Sequence, residues 1–287
     1  MGAIFKREFR AYFTNMTGYV FLGVIFLFSG IFTMAVNLLS GYASFEYTLS
    51  NMSFVLMIII PVLTMRSMAE DRRQRTDQLL YSLPLRATSV VIGKYLALIS
   101  VFAIAVLGMA FVPVILSLFG SVPFASTYSA LFGFLLLGCA LIAVCMFLSS
   151  LTESQIIAAV IGIGAMLAFY LMNGLSSLIP SDRATSFVCF LVLCAAAGLV
   201  IGLLTKNVWI GAAAGAVTAV PTVIIYLIKG DSFAGLFPKL LGFLAVFDRF
   251  DSFVNGIFDV SAIVYYLSIT VFFVFLSVQS IEKRRWS

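Results

Sequence analysis

Seven stretches of this chain run for at least 19 residues without a charged side chain, and they constrain the fold more than any other feature. They cover positions 11–45, 47–65, 95–152, 154–181, 184–205, 207–228 and 260–281. A helix needs roughly 20 apolar residues to cross a hydrocarbon core of about 30 Å, so each stretch is long enough to span a membrane. The 58-residue stretch at 95–152 is too long for one crossing and contains Phe119-Gly120-Ser121-Val122-Pro123, a turn signal that divides it in two. The sequence therefore predicts eight spans, near 19–39, 52–68, 90–118, 128–150, 155–178, 186–204, 207–228 and 261–280. The runs are continuously apolar rather than alternating, which predicts an all-α polytopic membrane protein and not a barrel.

Composition excludes whole classes of function. Hydrophobic residues make up 62% and charged residues 10% of the 287 positions, against about 45–50% and about 25% in an ordinary soluble domain. A soluble enzyme of this length has too much surface for 29 charged side chains to cover. The absence of His removes His-based acid/base chemistry, Ser-His-Asp triads and His metal sites. The four cysteines, Cys139, Cys145, Cys189 and Cys194, form no C-x-x-C pair and lie inside apolar runs, where a free thiol behaves as a small apolar residue. No P-loop is present: the Gly93-Lys94 pair is followed by Tyr95. Glu46 and Glu153 fall at span edges, so no acidic group is expected at mid-membrane for ion coupling. A chain of this kind makes a path but carries no energy source.

Orientation follows from the cations. An even number of spans puts both termini on one side with thirteen Lys and Arg, and leaves Arg183, Lys229, Lys239 and Arg249 on the other. The positive-inside rule then places both termini in the cytoplasm. The net charge of +5 belongs to membrane margins, and no nucleic-acid surface is expected. The first apolar run is too long for a signal h-region and lacks an A-x-A site, so it reads as an uncleaved span.

Three segments lie outside the spans. In 1–14, Phe5, Phe9 and Phe13 recur at helical spacing while Lys6, Arg7 and Arg10 take other faces, predicting an interfacial amphipathic helix. Segment 66–94 holds nine of the 29 charges and is the strongest candidate for a partner's docking site. Its pattern predicts a helix over 68–83 with Leu79, Leu80 and Leu83 as an apolar edge, stopped by Pro84. Segment 230–259 has no 20-residue apolar run yet is too apolar for a free loop, which suggests an outer interfacial or re-entrant element. Gly198-x-x-x-Gly202 and Gly211-x-x-x-Gly215 predict close packing of spans six and seven, and Pro61, Pro113 and Pro221 are expected to kink their helices.

The run Glu70-Asp71-Arg72-Arg73-Gln74-Arg75-Thr76-Asp77-Gln78-Leu79-Leu80-Tyr81-Ser82-Leu83-Pro84, followed by Gly93-Lys94, resembles the loop between spans two and three of ABC-2 type transporter permeases. The branch it most resembles is that of gliding-motility and copper-maturation ABC permeases. Glu70, Asp71, Thr76, Leu79, Leu80, Pro84, Gly93 and Lys94 match the family's pattern, whereas Arg75 replaces its usual Gly and Gln78 its usual Glu. The link around Thr152-Glu153-Ser154-Gln155 and the tail from Phe250 through Tyr265-Tyr266 to Arg284-Arg285-Trp286 are also similar.

The resemblance implies a single permease domain over 1–287: a six-helix core with an inserted hairpin at 186–228, set in the cytoplasmic membrane of a prokaryote. It implies a second permease copy, identical or a paralogue, and a separate cytoplasmic ABC ATPase that holds ATP and Mg, with no cofactor bound and no catalysis performed by this chain. Glu70, Asp71, Arg72, Arg75, Thr76, Asp77, Leu79 and Leu80 would form the ATPase-coupling helix. The Phe5, Lys6, Arg7, Phe9, Arg10 and Phe13 helix would brace it at the lipid surface. Export is the implied function. The alternatives are an ATP-driven subunit that moves an accessory protein without passing solute, and an ATP-independent facilitator.

Overall fold

The computed structural model describes residues 2–73, 87–205, 209, 216, 217, 221, 223 and 234–285. Every regular element among them is helical. In chain order these are α1 (Gly2–Thr14), α2 (Thr17–Phe32, continued by a π-helical turn Thr33–Leu39), α3 (Glu46–Arg73), α4 (Ala87–Met109), α5 (Val112–Leu116), α6 (Phe124–Leu151), α7 (Gln155–Leu178), α8 (Arg183–Thr205), α9 (Leu236–Leu244), α10 (Asp251–Val254) and α11 (Val260–Arg285). Among the described residues, six segments are long and apolar enough to cross a membrane: Thr17–Leu39, Glu46–Arg73, Ala87–Leu116, Phe124–Leu151, Gln155–Leu178 and Val260–Lys283. The expected sixth span is covered by α8, and the expected seventh lies almost wholly outside the described residues.

One span boundary differs from the sequence expectation for a definable reason, and one helix breaks at an expected proline. The second span was expected over 52–68, but its helix runs from Glu46 to Arg73. A charge usually ends a span; here Arg66 donates from Nε and Nη2 to both Glu70 oxygens at 2.7 and 2.9 Å, so the i,i+4 pair continues the helix. The third span breaks after Met109 and restarts as the short α5, where Pro113 lacks the N–H the ladder needs. Within the break, the Tyr128 hydroxyl donates to the Ala110 carbonyl at 3.3 Å.

The chain divides into two compact units, residues 1–168 with 246–287 and residues 169–245. In the first, α6 is the centre, with α3, α4 and α11 packed round it. Its buried positions, among them Leu131, Phe134, Leu141 and Met146, fall on several faces. Lipid is as apolar as a helix face, so helices in a membrane associate through close packing and polar ties rather than water exclusion. Both occur here. Gly133 and Gly138 of α6 let the rings of Phe253 and Phe102 lie directly on the α6 backbone. The Ser149 hydroxyl of α6 donates to the Met65 carbonyl of α3 at 3.1 Å, and the Tyr95 hydroxyl of α4 donates to the Cys139 carbonyl at 3.0 Å.

At the other end of the same parallel pair, Thr127 of α6 donates to Glu46 Oε1 of α3 at 3.0 Å. Thr127 and Ser149 are separated by about 33 Å at 1.5 Å per residue, close to the thickness of the hydrocarbon core. The α3–α6 pair is thus fastened where each margin of the membrane would lie. Glu46 is 2% exposed, and its second oxygen has no hydrogen-bond partner among the described residues. Thr127→Val would leave a buried carboxyl group without its donor. The expected loss is about 1.5–3 kcal/mol, read as a lower unfolding temperature of the detergent-purified protein, with Thr127→Ser retaining wild-type behaviour.

Segment 230–259 resolves into separate pieces. In the first unit, Asp248–Phe250 forms a 3₁₀ turn running into α10, and Phe250 and Phe253 are buried against α6 and α3. Tyr266 of α11 donates its hydroxyl to the Val246 carbonyl at 3.1 Å, and the Arg249 guanidinium lies 5.3 Å from the Tyr265 ring centroid. In the second unit, α9 packs on α8 through Phe237 and Phe190, whose rings meet edge to face at 5.5 Å.

Candidate coupling site

The N-terminal helix has three faces. Ile4, Glu8, Ala11 and Tyr12 share the side that packs against α4 and α2, with Ile4 and Tyr12 buried. Phe5, Phe9 and Phe13 form the next face as a half-exposed ladder with ring centroids 5.8 and 5.1 Å apart, which Tyr19 of α2 extends at 5.2 Å. Lys6 and Arg10 occupy the third, exposed face. The first face was missed in the sequence because the Phe spacing dominated the pattern. Its signal was the i,i+4,i+8 series Ile4, Glu8, Tyr12, with Glu8 the one acid among the first fourteen residues.

Lys94 stands at the meeting point of α1, α3 and α4. Its side chain is 2% exposed, and an isolated ammonium is rarely buried without partners. Its three N–H protons face three oxygens: the Ser67 carbonyl at 2.5 Å, Asp71 Oδ2 at 2.7 Å and Glu8 Oε1 at 3.5 Å. Glu8 Oε1 also accepts from Arg7 Nη2 at 2.6 Å. Beside this joint, Arg66 holds Glu70 and donates from Nη1 to Thr17 Oγ1 of α2 at 3.0 Å. A cleft of about 280 Å³ lies among these groups, lined by Arg7, Arg66 and Lys94 and by Glu8, Glu70 and Asp71. Three cations thus balance three carboxylates. Burial raises the Tyr12 phenol above its ordinary pKa, the Glu8 carboxylate adds to the rise, and hydrogen bonding with Ser67 works against it.

The coupling residues expected from the sequence therefore divide. Glu70 and Asp71 are drawn into the joint. Arg72 is buried and donates from Nη1 to the Thr152 carbonyl at 3.4 Å, tying α3 to the link between α6 and α7. Arg75, Thr76, Asp77, Leu79 and Leu80 lie outside the described residues. Of the N-terminal set, Phe5, Phe9 and Phe13 are stacked, Arg7 touches the joint through Glu8, and Lys6 and Arg10 face outward.

Six membrane-length helices with an ion-paired patch where three helices meet define a multi-pass helical membrane protein whose polar machinery lies at one end of its bundle. The chain belongs to the ABC-2 family: the model described as ABC-2 family transporter protein matches residues 37–228, about two-thirds of its length. It is a membrane permease component of an ABC transport system. The match includes Arg66, Glu70, Asp71 and Lys94 but not α1, so Glu8 joins the site from outside the matched region. No curated protein and no solved structure matches the chain.

Proposed function

We propose that this chain is the membrane-spanning subunit of an ATP-driven exporter, working as a pair of permease chains coupled to a separate cytoplasmic ATPase. The observation that carries this reading is the Lys94 joint. A segment that receives force from a partner must be fastened at its root, or the motion is lost in loop flexibility. Here the last turns of α3, leading into 74–85, are fixed to α4 through Lys94 and to α2 through Arg66, and Lys94 in turn meets Glu8 of α1. The charge-rich end is assigned to the cytoplasm by the positive-inside rule. ATP and Mg belong to the ATPase, and this chain converts its motion into a rearrangement of α2–α4. The motifs at 70–94 and the Arg284-Arg285-Trp286 end favour the branch of gliding-motility and copper-maturation permeases.

The test must separate docking from the joint. Reversing Glu70 or Asp71 would break the pairs with Arg66 and Lys94, so those residues do not report docking alone. Leu79 and Leu80, the apolar edge of the segment, are the better targets. In Leu79→Asp combined with Leu80→Asp, the ATPase is expected to fall away during co-purification while membrane insertion and unfolding temperature remain those of the wild type. An ATPase still bound at full stoichiometry would place the docking surface elsewhere.

A further inference from the structure

The outward face of α1 forms a groove of about 590 Å³ lined by Ala3, Lys6, Arg7, Arg10, Ala11, Thr14 and Asn15. Its chemistry is the opposite of the balanced cleft on the other side of the helix: among the described residues three cations line it and no carboxylate does. Lys6 and Arg10 stand one helical turn apart, and neither has a carboxylate partner among the described residues. The half-exposed Phe5, Phe9 and Phe13 ladder occupies the adjoining sector of the helix. Only Asn15 and Met16 separate α1 from α2, the first membrane-length helix, so α1 is held at the membrane surface.

We propose that this groove binds the phosphate of an anionic phospholipid, and that the bound headgroup tightens the contact between Glu8 and Lys94. A phosphate bridging Lys6 and Arg10 would leave the lipid's glycerol and acyl chains against the Phe ladder, which a soluble phosphate has no use for. Arg7 links the groove to the joint because it lines both cavities. Its guanidinium competes with Lys94 for one oxygen, Glu8 Oε1, at 2.6 Å against 3.5 Å. A headgroup that draws Arg7 into the groove releases Glu8 to Lys94 and binds α1 more firmly to α3 and α4. The lipid site stands on the groove alone; its effect on the joint rests on the coupling reading.

Two measurements keep these parts distinct. In native mass spectrometry of the purified full-length chain, phosphatidylglycerol should be retained, phosphatidylcholine should not, and inorganic phosphate should not displace the lipid. Lys6→Gln with Arg10→Gln should weaken phosphatidylglycerol retention roughly tenfold or more, while Lys6→Arg with Arg10→Lys should preserve it. Unchanged retention in the glutamine variant, or displacement by inorganic phosphate, would overturn the lipid site. The permease–ATPase complex is then placed in phosphatidylcholine nanodiscs with and without phosphatidylglycerol. ATP hydrolysis should rise with the anionic lipid in the wild type and not in the glutamine variant. Lost lipid binding with an unaltered hydrolysis response would refute the link to Glu8 and Lys94 while the lipid site stands. Failure of any ATPase to associate would instead count against the coupling reading.

Discussion

Lys94→Met is expected to lower the stability of the purified permease by about 3 kcal/mol and, on the proposed coupling role, to abolish ATP-driven transport. Removing one member of a buried pair leaves its partners uncompensated, which costs about 3–5 kcal/mol in a dry interior. The lower end applies because Asp71 and Glu8 retain 23% and 15% side-chain exposure. Lys94→Arg should not rescue: an ammonium presents three protons in a compact head, which here meet oxygens from Ser67, Asp71 and Glu8, whereas a planar guanidinium needs more room and a different fork. Adding Asp71→Leu to Lys94→Met should restore much of the stability, since replacing both partners by apolar groups is often neutral. It should not restore coupling, because the tie between α3 and α4 is gone. A melting temperature for Lys94→Met equal to that of the wild type would contradict the buried joint, and full coupling in the double variant would contradict its mechanical role.

The physics of this joint also explains what could and could not be read from the sequence. Spans were legible because a charge-free run of 20 residues has few uses other than crossing lipid. Their ends are less legible, because a span and the cytoplasmic helix after it read as two segments, 52–68 and 68–83, where the structure has one helix from Glu46 to Arg73. Arg66 and Glu70 neutralise each other four residues apart, and α3 passes through both. The break before Pro113 is legible from the proline, but the hydroxyl that bonds the Ala110 carbonyl within it comes from Tyr128, 18 residues away. At the site, the cluster of charge at 66–94 pointed to the right region, and Gly93-Lys94 was recognised only as part of a family pattern. That Lys94 is buried, and that Glu8 of the N-terminal helix meets it, depends on long-range packing that no local spacing encodes. The same limit hid Thr127 as the donor to Glu46, an interaction across 81 positions of chain.

Gly138→Ala is expected to destabilise the bundle by about 1–3 kcal/mol, a large effect for one methyl group. A Cβ at this position would collide with the Phe102 ring of α4. An aromatic ring at a free surface would turn aside, but Phe102 is fully buried between Phe21 of α2, 6.5 Å away, and Phe134 of α6, 5.9 Å away. Phe134 is held in turn by Phe250 at 5.9 Å, so the displacement has nowhere to go. Gly164→Ala in α7 is the control: nothing among the described residues lies within 4 Å of its added methyl, so the substitution should be neutral or slightly stabilising through helix propensity. Pairing Gly138→Ala with Phe102→Leu should recover part of the loss, as a smaller side chain makes room for the methyl. Equal melting temperatures for Gly138→Ala and Gly164→Ala would show that α4 and α6 do not meet at this distance. The close approach matters beyond stability because Phe102 sits about 12 Å along α4 from Lys94. A helix seated on the α6 backbone at Gly138 cannot be moved at its Lys94 end without shifting against α6 or carrying it along, and α6 is the helix on which α3 and α11 also rest.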